Sequence, residues 1–180
     1  MVVQSRPAAD YSYRMEDPPD RIDAERFRQV LGHLPTGVTV VSAHGAAGPV
    51  GMAANSVTSV SLEPPLMLFC PAKSSTTWPP IRDSGRFTVN VFAAHHEEMS
   101  RRFSARGVDR FEGVAWHPGD AGPVLDEAIA WIECTIDAIH EGGDHLIVVG
   151  AVDELGIRDA EVEPLVFFRG RYGSFRHPSS

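Results

Sequence analysis

The chain has 180 residues, 43% hydrophobic and 22% charged, the balance of one globular domain and too short for a two-domain dinucleotide-dependent dehydrogenase. A formal net charge of −8 and a pI near 5.4 argue against duplex nucleic acid or an anionic membrane as the main partner, though not against a small local phosphate site. No apolar run approaches the roughly 18 residues of a membrane span and the N-terminus lacks the basic-then-apolar order of a signal peptide, so the expectation is a soluble, cytoplasmic chain.

Residues 1–20 are poor in large aliphatics and hold Pro7, Pro18 and Pro19. They read as a flexible arm, with Tyr11 and Tyr13 available to a neighbouring surface, ahead of one domain over 21–176. Phe27, Val30, Leu31 and Leu34 recur at helical spacing behind Asp23, a good N-cap, and Pro35 and Gly37 end that helix. From Thr36 the period changes to two. Thr36–Ala43, Val50–Ser61 and Leu66–Cys70 read as strands, with a turn at Gly45–Gly48 and a break at Pro64-Pro65. Arg86–Phe92 alternates, and Trp131–Ile139 puts Ile132, Cys134, Ile136 and Ala138 on one face and Glu133, Thr135 and Asp137 on the other. His145–Val152 and Leu165–Phe168 complete seven or eight strands. Two short helices fit near Ser75–Ser84, with Pro79 and Pro80 in the first turn, and near His95–Arg106. Strands at short spacing with few helices predict a mostly β, closed or split antiparallel barrel with peripheral helices. Cys70 and Cys134 lie in apolar runs without a CxxC or Cys/His signature and read as core residues.

Familiar catalytic signatures are missing: no GxGxxG opening a helix, no Walker loop, no GxSxG elbow. His95-His96-Glu97-Glu98 lacks the HExxH spacing, and consecutive helical residues diverge, so no metal is expected there. Three other features stand out. Gly51–Ser61 is a run of small, hydrogen-bonding residues that lets backbone amides approach a flat ligand. Cys70–Trp78 gathers Lys73 and four hydroxyls at a helix start, which is either a phosphate site using orphan helix N–H groups or a capped loop without a ligand. Met99, Arg102, Phe103 and Arg106 share one helical face, so the arginines either meet an anion or snorkel or pair with Asp109 or Glu112. Finally, His145 follows the Gly142-Gly143 turn, a position for either a structural or a working histidine.

Taken in order, these residues resemble the flavin reductase family of FMN-binding split barrels, the reductase components of two-component flavin-dependent monooxygenases. The matching stretches are Leu34–Val41, Gly51–Leu66, Ser84–Val91, Arg102-Phe103, Gly143-Asp144-His145 and Phe168–Tyr172. The resemblance implies reduction of FMN or FAD by NADH, with NADPH as the other possible donor, and delivery of free reduced flavin to an oxygenase partner. It implies a homodimer whose pockets are shared across the interface. It sets Pro49, Val50, Gly51, Met52, Ala53, Asn55 and Ser56 along the isoalloxazine and ribityl chain. Cys70, Pro71, Ala72, Lys73, Ser75, Thr76 and Thr77 would surround the flavin phosphate, with Arg102 and Phe103 closing over it. His145, as the catalytic position, and Phe168, Arg169 and Gly170 fall on the nicotinamide side. Hydride transfer between two cofactors needs positioning rather than protein acid–base groups, which agrees with the missing signatures. A split barrel that keeps its flavin as an oxidase, like the pyridoxamine-phosphate oxidases, and a non-catalytic flavin- or haem-binding barrel are the alternatives.

Overall fold

The computed structural model describes residues 22–176, so the expected arm over 1–20 lies outside the described residues. α1 (Ala24–Leu31) starts where expected, because the Asp23 carboxylate accepts from the Arg26 N–H at 2.7 Å. None of its residues is buried, and Phe27, Val30, Leu31 and Leu34 remain exposed. β1 (Thr36–Gly37) and β2 (Thr39–Gly45) follow, and β2 turns into β3 (Gly48–Ala54). The strand predicted over Val50–Ser61 is two strands. β3 pairs with β2, whereas β4 (Thr58–Leu62) pairs with β5 (Pro65–Phe69) at the opposite edge of the same sheet.

α2 (Trp78–Ser84) carries Pro at N1/N2, as anticipated. Then come β6 (Arg86–Val91), α3 (Glu97–Ser104), β7 (Trp116–Pro118), β8 (Pro123–Leu125), β9 (Ala130–Gly142), β10 (His145–Ile157), β11 (Leu165–Phe168) and β12 (Arg171–Ser174). The large sheet has the order β3-β2-β6-β9-β10-β5-β4, every pair antiparallel; β1-β11-β12 and β7-β8 form two small sheets. Its edge strands β3 and β4 are consecutive in the chain, so residues 55–57 hold the sheet's two ends close together along the seam of a split barrel. The chain is mostly β with helices at the periphery. No helix among the described residues is long and apolar enough to cross a membrane.

Two cores explain why β2 is buried without a break from Thr39 to Ala43. Val41 and Ala43 face one, with Phe69, Ile81, Phe87, Val89, Cys134 and Val148. Val38, just before β2, and Val40 face the other, with Phe92, Phe103, Phe111, Leu125 and Leu165. A strand covered on both sides reads as continuous rather than alternating. Cys134 is fully buried and its thiol is pushed up to about 12 by burial; both cysteines are free. β9 departs from expectation at Glu133. Placed on the polar face by alternation, it is buried, and its Oε1 accepts from the Ala121 N–H at 3.2 Å. Asn90 likewise is fully buried, donating to Ser42 Oγ at 3.0 Å and to the Pro123 carbonyl at 3.2 Å and accepting from the Leu125 N–H at 2.8 Å. These bonds tie β8 to the large sheet.

Candidate functional site

A groove runs beside β3, an edge strand of the large sheet. The Gly51 carbonyl accepts from Arg110 Nη1 at 2.7 Å and therefore points away from β2; antiparallel alternation turns the Ala53 backbone amide the same way, with no strand to pair with. Ala53 and Ser104 border two adjoining cavities. One, of about 220 Å³, is walled by Met52, Ala72, the Ser74–Thr77 hydroxyls, Arg106 and Arg110. The other, of about 190 Å³, contains Asn55, Ser100 and Tyr172. Tyr172 also borders a wider cavity, about 970 Å³, on the β1-β11-β12 sheet with Phe168, Arg169 and Arg171. The Ser100 and Tyr172 hydroxyls lie 3.0 Å apart and join α3 to that sheet.

Close approach at Gly51 serves packing. A Cβ there would come within 3.0 Å of Phe103 and 3.2 Å of Phe111, two rings stacked edge-on at 5.1 Å. Phe103 is thus a core residue whose edge reaches the cleft, and the ligand-facing amide is that of Ala53. Pro49 and Val50 lie farther along, beside Thr76 and Thr77. Ser56 is a clamp between strands: its Oγ accepts from the Cys70 N–H at 2.9 Å. Burial raises the Cys70 thiol above its ordinary value. Pro71 accepts from the Leu146 N–H at 2.9 Å, and Ala72 bridges to His145, so the loop is pinned to the start of β10.

The phosphate reading changes in its parts. Orphan helix N–H groups are not available: Pro79 and Pro80 carry none, and Ser75 Oγ accepts from Thr77 N at 3.3 Å and Trp78 N at 3.2 Å. Lys73 is drawn to the Glu141 carboxylate on the β9–β10 hairpin and does not line the cleft. Arg102 donates to the Glu112 carbonyl and faces a separate cavity with His95, His96 and Glu127. Neither an ion pair nor a snorkel, this bond turns Arg102 away from the hydroxyl loop.

The positive charge in the cleft comes from Arg106 and Arg110 instead. Arg110 Nε and Nη2 donate to the Ala105 carbonyl at 2.9 and 2.6 Å, and Nη1 donates to Gly51 O and Thr77 Oγ1, both at 2.7 Å. It thereby holds α3, β3 and the hydroxyl loop together, and burial lowers its guanidinium below the ordinary value. Arg110 follows a loop without periodicity, so only a search for unpaired cations could have singled it out.

His145 is exposed, and its Nδ1 lies 2.8 Å from Asp144 Oδ1; that bond holds the Asp144 carboxyl below its ordinary range. Within one chain it adjoins the loop at Ala72 rather than the cavity of Phe168 and Arg169. Arg169 has φ +50 and Gly170 φ +75, the two turn residues between β11 and β12. The structure also brings His95 and His96 together, ring centroids 4.1 Å apart, because both precede α3 rather than lie within it. With Glu127 their ligand atoms fall within 4.8 Å. His96 Nδ1 accepts the Ala93 N–H at 3.1 Å, which fixes the tautomer whose Nε2–H donates to Glu127 at 3.1 Å. That proton occupies the position a metal would need.

An edge amide, a hydroxyl-rich loop and two guanidiniums together suit a flat phosphorylated ligand. Comparison with known proteins points the same way. The model of the flavin reductase like domain matches residues 31–176. The reductase subunit HsaB of a flavin-dependent monooxygenase from Mycobacterium tuberculosis is 44% identical, over 84% of this chain and 82% of that protein. The NADH-dependent FMN reductase SmoA of Agrobacterium fabrum is 42% identical, over 85% and 87%. The solved structure of the NADH:FAD oxidoreductase SgcE6 of Streptomyces globisporus, in complex with NAD and FAD fragments, superposes with a TM-score of 0.82 at 38% identity, covering 88% of this chain and 96% of that one.

Proposed function

The chain belongs to the flavin reductase family, and from that premise we propose that it reduces FMN or FAD with NADH or NADPH and releases the reduced flavin to a flavin-dependent oxygenase. The observation that carries the reading is the run of adjoining cavities. Ala53 and Ser104 join the hydroxyl loop to the pocket of Asn55, and Tyr172 joins that pocket to the Arg169 cavity. A flavin lying along β3 and a nicotinamide in the larger cavity then meet at Tyr172, the adjacency that hydride transfer requires.

Within this reading the Ser74–Thr77 hydroxyls with Arg106 and Arg110 hold the phosphate end. The Ala53 amide and Asn55 receive the ring edge, where reduction adds negative charge. Phe168, Arg169 and Gly170 border the nicotinamide. His145 is assigned to the same step, supported by its exposure and by Asp144, which holds Nδ1 and leaves Nε2 without a partner among the described residues. A homodimer is supported by the exposed stripe of α1 and by Leu155 and Ile157, 63% and 74% exposed on β10. Purified protein is expected to oxidise NADH only when free flavin is added. A rate independent of added flavin overturns the reading.

A further inference from the structure

The cleft over the hydroxyl loop continues beyond Arg110. Thr76, Thr77, Arg106 and Arg110 also wall a second cavity, about 240 Å³, closed on its far side by Pro49, Val50 and the 107–111 loop. Both cations at this junction lack an acid. Arg110 is half-buried, and no carboxylate lies within salt-bridge distance of it among the described residues; the Arg106 guanidinium has no partner of any kind there. Both guanidiniums line the same two cavities, and an anion bound there would offset the desolvation of the half-buried Arg110.

A monophosphate would need only the first cavity. The second, mostly polar in its lining with a few apolar side chains, extends past both cations and leaves room beyond a monophosphate. Val108 is 53% exposed at its mouth, on a loop that turns at Gly107 with φ +73, and Pro49, Val50 and Phe111 add apolar wall. Asp109 Oδ1 accepts the Phe111 N–H at 2.9 Å, which orients the carboxylate and leaves its other oxygen for a ribose hydroxyl. We propose that Arg106 and Arg110 clamp a diphosphate, that the second cavity takes the adenosine half, and that the chain therefore prefers FAD to FMN. This rests on the flavin reading above and names which flavin that groove takes.

Binding of FAD, FMN and ADP to the full chain, followed by flavin fluorescence with ADP as competitor, tests it. FAD is expected to bind about tenfold or more tightly than FMN, the weight of one charge-assisted contact, and ADP to displace FAD. Arg106→Gln, a change at an exposed side chain, should remove most of that preference. Val108→Glu should weaken FAD and spare FMN. Equal affinities for the two flavins, or a preference unchanged in both variants, overturns the proposal while leaving flavin reduction intact. Binding of neither flavin overturns the flavin reading itself, and this proposal with it.

Discussion

Replacing Arg110 by methionine tests whether one guanidinium assembles the cleft. Methionine keeps most of the stem's apolar volume and removes four donated bonds: two to Ala105 O, one to Gly51 O and one to Thr77 Oγ1. Hydrogen bonds from a charged donor contribute about 1.5–3 kcal/mol each, but they share one side chain and do not add. The Thr77 hydroxyl turns to water at little cost, and removing a half-buried charge returns its desolvation penalty. Two carbonyls losing their donor then leave a net loss of about 1–3 kcal/mol, or roughly 3–10 °C in Tm for a domain of this size. Thermal unfolding by circular dichroism and the urea midpoint, with the slope unchanged, measure it. Arg110→Lys, keeping the charge but not the fork, should fall between. A methionine variant melting within about 1 °C of the unaltered protein refutes the claim that Arg110 holds α3, β3 and the hydroxyl loop together.

Asn90→Ala removes the side-chain acceptor of the Leu125 N–H and the donor to Ser42 and Pro123 in a fully buried position, so about 2–4 kcal/mol of stability should be lost in urea titration. Arg169→Asn places a residue that tolerates the left-handed region at φ +50 and should raise stability by about 0.5–1 kcal/mol by the same measurement. Burial, then the neighbouring His95, holds His96 below the ordinary value of 6.5. The unfolded chain therefore binds this proton first, and its contribution to stability is present above pH 6.5 and lost as pH falls toward the lower folded value. In melts across that range, His96→Gln should show a shallower acid loss than the unaltered protein.

Much of the frame is legible in the residues because it follows from local chemistry. Asp23 caps α1, Pro79 and Pro80 open α2, and the β-branched run Thr36–Ala43 marks a strand, although its burial on both faces was not visible there. What escaped depends on contacts between distant segments. Glu133 alternates as a surface residue but is covered by the segment around Ala121. Lys73 looks like a phosphate ligand until the β9–β10 hairpin brings Glu141 against it. Arg102 and Arg106 share a helical stripe on paper, yet α3 ends at Ser104, so Arg106 leaves the helix toward the hydroxyl loop while Arg102 stays with Glu112. Strand pairing was equally hidden: the small residues over 51–61 gave no sign that the sheet's two edges part at Asn55. The catalytic class emerged from motif order along the chain, whereas the charges that serve it emerged only in three dimensions.

The proposed seat of flavin reduction is the groove beside β3. It is tested most directly by steady-state NADH oxidation, with and without added flavin, in the unaltered protein and in Ala53→Phe, whose ring would fill the junction of the two small cavities. Flavin-dependent turnover is expected in the first and its loss in a folded preparation of the second. Undiminished flavin-dependent turnover in a folded Ala53→Phe variant would contradict it.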